Sequence, residues 1–379
     1  MLVENVKIFT EDCEFRYGNI EIDGEQFQSV TFDSKQVEDT DSEGLYAIPG
    51  LCDIHFHACD GKDFCDGTTE ALSVMAHYEA INGITSICPA SMTLNAARLL
   101  DICKNTANFT AGSDEASLVG INLEGPFLSY EKRGAQNPKY LIAPDAALVK
   151  ELNQASGGLV KLVSIAPEIP GSMEFIQTLK HDFVLSAAHT TADYSIAKRA
   201  FDEGMSHVTH LYNAMPPFTH RAPGLIGAAY DTPNCRVELI CDGVHIEPAA
   251  VRMTFSLFGD DRIILISDSM MATGLEDGIY SLGGQTVNVH GNLATLADGT
   301  IAGSVTNLYS CMTSAVNMGI PLESAVKCAT MNPAKAIGIY EKAGSITPGK
   351  FADLLLLNSD LSLHSVILRG KTIRSCKQL

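Results

Sequence analysis

The hydrophobic pattern of the chain changes character near residue 48. Before it, short runs at Leu2 to Phe9, Phe15 to Ile22 and Phe27 to Phe32 are broken by turn residues such as Asp12 and Gly24, and read as strands of a small β unit. Three strands without a long helix enclose too little apolar volume to stand alone. From residue 48 onward, short apolar runs alternate with longer stretches of helical spacing. Strands are expected at Ile48 to Ile54, Ile84 to Cys88, Leu118 to Leu123, Val160 to Ile165, Phe183 to Ala188, His207 to Leu211, Val237 to Cys241 and Arg262 to Ser267. Helices are expected at 69–82, 94–106, 143–154, 173–180, 191–203 and 247–258, the fifth capped by Thr191 or Asp193. Eight strands in series with crossover helices predict a closed (β/α)8 TIM barrel, which brings the strand-end side chains to one mouth.

The stretch from Met270 to Gly303 is rich in Gly and Asp and is too long for a plain βα loop, so a hairpin or flap is expected beside the mouth. Two helices follow, at 308–318 and 322–330, the second capped from before Pro321. A β-rich tail from Gly344 to Lys371 contains Asp353-Leu354-Leu355-Leu356-Leu357. The predicted α/β architecture is therefore a barrel over 48–335 inserted into a small β-sandwich domain built from both chain ends, 1–47 and 336–379.

Composition narrows the partners. A formal charge of −19 without clustered Lys and Arg argues against nucleic acid or an anionic membrane surface. An anionic substrate must then meet a local positive site. The 11 cysteines are scattered without close repeated pairs, no secretory leader is evident, and no apolar run approaches a membrane span. The expectation is a cytoplasmic protein with mostly reduced core thiols.

Candidate chemistry lies at the strand ends. The first strand ends in His55 and His57, two apart and so on one side of an extended segment. The third runs into Glu124, the fifth delivers His189, the sixth His210 and the eighth Asp268. Singly, His189 or His210 reads equally well as a core residue bonded to a carbonyl and Asp268 as a turn cap, and the His55 and His57 pair alone could be two surface histidines. Together they form a metal-hydrolase arrangement, because Zn²⁺ or Fe²⁺ takes nitrogen and oxygen ligands while leaving a position for water. Glu124, His189 and His210 make a compact three-ligand set. His55 and His57 could hold a second metal, with Glu124 or Asp268 shared, giving one or two ions per subunit. Asp268 stands where it could carry a proton to a leaving group.

These residues, with Glu124-Gly125-Pro126-Phe127, Lys132-Arg133-Gly134-Ala135-Gln136-Asn137-Pro138, Ala188-His189-Thr190, His210-Leu211-Tyr212-Asn213-Ala214-Met215, Asp242-Gly243-Val244-His245 and Ser267-Asp268, resemble the amidohydrolase superfamily. Within it they resemble the N-acetylglucosamine-6-phosphate deacetylase family. The resemblance implies hydrolysis of a linear amide on a small amino sugar phosphate, with Glu124, His189 and His210 on the principal metal and Asp268 as general base and acid. It further implies substrate contacts from Asn213 and Ala214, through side chain or backbone, phosphate contacts from Arg221 and His245, and a lining of the sugar or acetyl side by the backbone around Ile301, Ala302 and Gly303. In this family part of the pocket comes from a neighbouring subunit, so a homodimer or higher homo-oligomer is expected. Where family members often carry a histidine beside Ala135, this chain has Gln136, which donates a hydrogen bond but cannot become cationic. The alternatives are an amidohydrolase acting on an unphosphorylated N-acetyl amino sugar or a cyclic amide, or a non-catalytic sugar-phosphate binding protein.

Overall fold

The short apolar runs become the staves of a parallel barrel. In the computed structural model, which describes residues 1–32 and 44–375, barrel strands lie at Leu51–Asp53, Ile84–Ile87, Ile121–Phe127, Val160–Ile165, Val184–Ala187, His207–Val208, Arg236–Ile240 and Ile263–Ile266. From Ile121–Phe127 to Ile263–Ile266 each strand pairs in parallel with the next in chain order. Leu51–Asp53 pairs with Ile84–Ile87. The ring closes just past the strand ends, where Asp268 N donates to the His55 carbonyl at 2.9 Å and His57 N to that of Ser269 at 2.9 Å. Those closing bonds join the two segments that carry His55, His57 and Asp268.

Two of the expected strands are divided. The first splits at Gly50: Tyr46–Pro49 belongs to the terminal sheet and Leu51–Asp53 to the barrel. A Cβ at Gly50 would stand 2.1 Å from Thr85 Oγ1, so only glycine lets the chain pass between the two sheets. The third splits into Ser117–Leu118 and Ile121–Phe127, with Gly120 passing against the Lys161 side chain.

Helix starts follow their caps. Thr68, Asn95, Asp145 and Asp193 each accept a backbone N–H and open the helices Thr69–Ile81, Ala96–Thr106, Ala146–Ala155 and Tyr194–Glu203. Asp193, rather than Thr191, is the cap of the last; Thr191 instead bonds Glu168. Leu322–Ala329 begins directly after Pro321, which occupies the cap position without a side-chain bond, so no earlier residue caps it. Gly224–Tyr230 and Met331–Ala336 are further short helices that periodicity does not reveal, because two glycines and a proline fall within them.

The terminal strands form one seven-stranded mixed sheet, ordered Lys371–Ser375, Leu363–Leu368, Leu354–Leu357, Tyr46–Pro49, Leu2–Phe9, Phe15–Asp23, Gln26–Phe32. Tyr46–Pro49 joins the two chain ends, parallel to Leu2–Phe9 and antiparallel to Leu354–Leu357. Residues from both chain ends, among them Ile8, Ile20, Phe27 and Leu354, form a core separate from that of the barrel. The segment after the eighth strand is a three-stranded antiparallel flap, Gly278–Leu282, Gln285–His290 and Leu293–Thr295, packed on Met92 and Met270. The ten cysteines among the described residues are all free; Cys376 lies outside them. Among the described residues no helix is long and apolar enough to cross a membrane.

Candidate metal centre

Four imidazoles converge on one carboxylate. Glu124 Oε1 lies 3.0 Å from His210 Nε2, 3.1 Å from His189 Nε2 and 3.5 Å from His55 Nε2; its Oε2 lies 3.2 Å from His57 Nε2. Asp268 Oδ1 is 3.2 Å from His57 Nε2 and 3.8 Å from His55 Nε2. All six residues are buried. The donor atoms fall into two sets that share Glu124: His55 with His57, and His189 with His210. His189, His210 and Asp268 take left-handed backbone conformations, at φ 44°, 31° and 51°. Each costs a β-carbon-bearing residue on the order of 1–3 kcal/mol, a strain that clusters where side chains must be aimed.

The rear nitrogens decide what the front ones can do. His57 Nδ1 is 3.1 Å from the Ala90 carbonyl and His189 Nδ1 2.9 Å from that of Lys132. A carbonyl only accepts, so both rings carry a proton on Nδ1 and turn a lone pair inward from Nε2 when neutral. His55 Nδ1 is held by Glu238 at 2.9 Å, while its buried Nε2 has no hydrogen-bond partner among the described residues. The His189 and His210 Nε2 atoms face each other at 3.2 Å. Inward lone pairs, an unpartnered buried nitrogen and a central carboxylate fit a divalent cation, which takes such donors.

The electrostatics agree. Burial opposes charge on His57, but hydrogen bonds to Asp268 and Glu124 hold the imidazole up at about 10. Burial also works against a charged His55, yet Glu238 and Glu124 drive it well above its usual value. Burial opposes ionisation of Glu124; His55, His189 and His210 nevertheless draw it well below the carboxylate range. Asp268 is lowered against burial by its bond to His57 and the charge of His55. Without a cation, the carboxylates favour protons on His55 and His57. A dication supplies the same compensating charge, and its binding displaces those protons.

Above this floor opens a pocket of about 450 Å³, within the range of small-ligand sites. Ala135, Gln136, Asn213, Ala214, His245, Ile301 and Gly303 line it. Two candidates do not. Ala302 is buried in the flap core, because alternate residues of an extended segment face opposite ways. Arg221 is exposed on the loop before Gly224–Tyr230 and lies outside the pocket of its own chain. His245 is seated by Asp242, whose carboxylate accepts from the ring Nδ1 at 2.7 Å and from the Val244 and His245 backbone at 2.9 Å. Gln136 accepts from Thr93 N at 2.7 Å through Oε1, so its Nε2 is the atom that donates to Glu124 Oε2 at 2.6 Å. Sequence reasoning missed Lys132, Arg133 and Thr300 on the rim, and Glu238 and His207 behind the ligands. Glu238 did carry a signal: it is a charge inside the otherwise apolar run Val237 to Ile240.

Comparison with known proteins points the same way. Residues 46–373 match the model of the Amidohydrolase family. The chain is 36% identical over 384 residues to the N-acetylglucosamine-6-phosphate deacetylase of Bacillus subtilis (strain 168), covering 98% of this chain and 96% of that protein. It is 30% identical over 335 residues to an N-acetylgalactosamine-6-phosphate deacetylase of Escherichia coli O157:H7, covering 88% and 89%. The fold superposes with a TM-score of 0.90, at 31% identity and 99% coverage of both chains, on a mutant N-acetyl-D-glucosamine-6-phosphate deacetylase from Mycobacterium smegmatis in complex with N-acetyl-D-glucosamine-6-phosphate. A parallel barrel with a histidine and carboxylate floor, matched over nearly its whole length, places the chain in the amidohydrolase family, in its N-acetylglucosamine-6-phosphate deacetylase branch.

Proposed function

We propose that this chain hydrolyses the N-acetyl group of N-acetyl-D-glucosamine 6-phosphate, releasing acetate and D-glucosamine 6-phosphate. The observation that carries this reading is the convergence of four imidazole Nε2 atoms on Glu124, with Asp268 against His57, at the floor of a pocket of sugar-phosphate size. The ligand named for the Mycobacterium smegmatis complex supports the choice of substrate.

Glu124, His189 and His210 would hold the principal divalent ion, zinc or iron, and His55 and His57 a second. A bound cation supplies Lewis-acid polarisation of the amide carbonyl and lowers the pKa of water. Asp268, held ionised, takes the proton of the attacking water and hands it to the departing amine. Gln136 keeps Glu124 in place through its Nε2. Asn213, the backbone at Ala214, and Ile301 with Gly303 hold the sugar, and His245 meets the phosphate end. Arg221, exposed and away from its own pocket, suits a bidentate contact to the phosphate in a neighbouring subunit, so the working form is a homodimer or higher homo-oligomer.

Chelator treatment tests the reading. Protein stripped of metal should release no acetate from N-acetylglucosamine 6-phosphate, and zinc or ferrous ion should restore release in proportion to the ion bound. Full activity in protein proven metal-free would contradict it.

A further inference from the structure

We infer that Glu238 is a positioning residue that sets both halves of the metal centre, with His207 as its rear support; the inference rests on the metal-dependent reading above. Glu238 lies within the seventh barrel strand, Arg236–Ile240, and is wholly buried. Its Oε2 accepts from His55 Nδ1 at 2.9 Å and from the backbone N–H of His210 at 3.2 Å. Its Oε1 accepts from His207 Nε2 at 2.9 Å.

Each bond has a consequence at the floor. A carboxylate only accepts, so His55 must carry its proton on Nδ1, and its unpartnered Nε2 then presents a lone pair toward Glu124. The same oxygen holds the His210 backbone at its left-handed turn, from which the ring reaches Glu124 at 3.0 Å. His55 and His210 belong to different ligand sets that have only Glu124 in common. Glu238 therefore joins the two sets from behind as Glu124 joins them from in front. His207, from the strand beside it, occupies the remaining oxygen and so fixes the rotation of the carboxylate. A residue needed only for packing would be apolar here, as Val237 and Leu239 are, because a buried carboxylate is tolerated only where donors surround it.

Glu238→Leu and Glu238→Gln separate positioning from packing. Leucine fills similar volume without accepting a bond. Glutamine keeps one acceptor oxygen for His55 and His210 and so serves as the conservative rescue, and as the informative variant if the leucine form fails to fold. Zinc equivalents per chain and their affinities are read by competition with a chromogenic chelator, alongside the visible spectrum of the cobalt-substituted protein. Zinc affinity should fall about 10- to 100-fold in Glu238→Leu, the range typical for loss of a residue that orients a ligand, with a smaller loss in Glu238→Gln and altered cobalt bands in both. Unchanged zinc affinities and cobalt spectra in the folded variants would overturn the role of Glu238 while leaving the metal centre intact. Failure of the unaltered chain to bind zinc or cobalt would instead overturn the metal-dependent reading, and this inference with it.

Discussion

On the pocket floor Glu124 lies within Ile121–Phe127, and His189, His210 and Asp268 follow the ends of their strands; all four are buried, His189 and His210 stand within hydrogen-bonding distance of Glu124, and Asp268 within that of His57. Arg221, the cation proposed for the phosphate, is exposed on a loop and touches none of them. The floor is complete within one chain, backed by Glu238, Ala90 and Lys132, so its geometry is set when the barrel closes. The rim is assembled from loops and, in our reading, from a second chain. Bond-breaking and substrate choice should therefore respond differently to mutation.

The largest effect should come from the floor. Glu124→Ala removes the one residue shared by both ligand sets; it should lose metal and lower kcat/KM by at least about 10³-fold, the several kcal/mol that a Lewis-acid centre supplies. Element analysis with an acetate assay checks this, and retained metal with retained turnover would break the assignment. Asp268→Asn should lower kcat by about 10²–10⁴-fold while zinc content stays the same. An equal fall in metal content would make Asp268 chiefly a ligand.

At the rim the signature should reverse. Arg221→Ala should raise KM for the phosphorylated sugar about ten- to hundredfold, the value of a lost charge-assisted hydrogen bond, and leave the free sugar unaffected. Mixing Arg221→Ala chains with Asp268→Asn chains sharpens the point. Activity should reappear in hybrid oligomers if the two residues act in one pocket from different chains, and no recovery would place both in the same chain.

The smallest effect lies away from the site, where the terminal sheet meets the barrel. Burial raises the Asp353 carboxyl to about 6, against the pull of its bond from Arg369 N at 2.8 Å. A carboxyl raised on folding contributes stability that is present below its unfolded value of about 3.9 and is lost as pH rises through about 6. The melting temperature of Asp353→Asn minus that of the unaltered chain should thus grow more positive between about pH 4.5 and 7.5. A flat or falling difference would contradict the shift.

The barrel was legible because parallel strands buried on both faces appear as unbroken apolar runs, as at Ile263–Ile266. The division at Gly50 was not, since the need for glycine comes from Thr85, 35 residues away. The candidate ligands could be read from polar residues at the ends of apolar runs, although the strand that carries Glu124 continues past it to Phe127. Gln136 could not be placed in the same way: its orientation depends on Thr93 and its bond on Glu124, both far along the chain. Where the Ala302 and Arg221 side chains go was not legible from the motifs: one turns into the flap core and the other out to solvent.

The most direct test of the account is acetate release from N-acetylglucosamine 6-phosphate and from N-acetylglucosamine, side by side, on one sample whose metal content per chain is known. The account predicts metal-dependent release with a strong preference for the phosphate ester. Equal turnover of the two sugars, or turnover of the free sugar alone, would keep the hydrolytic floor but contradict the phosphate site and the proposed substrate.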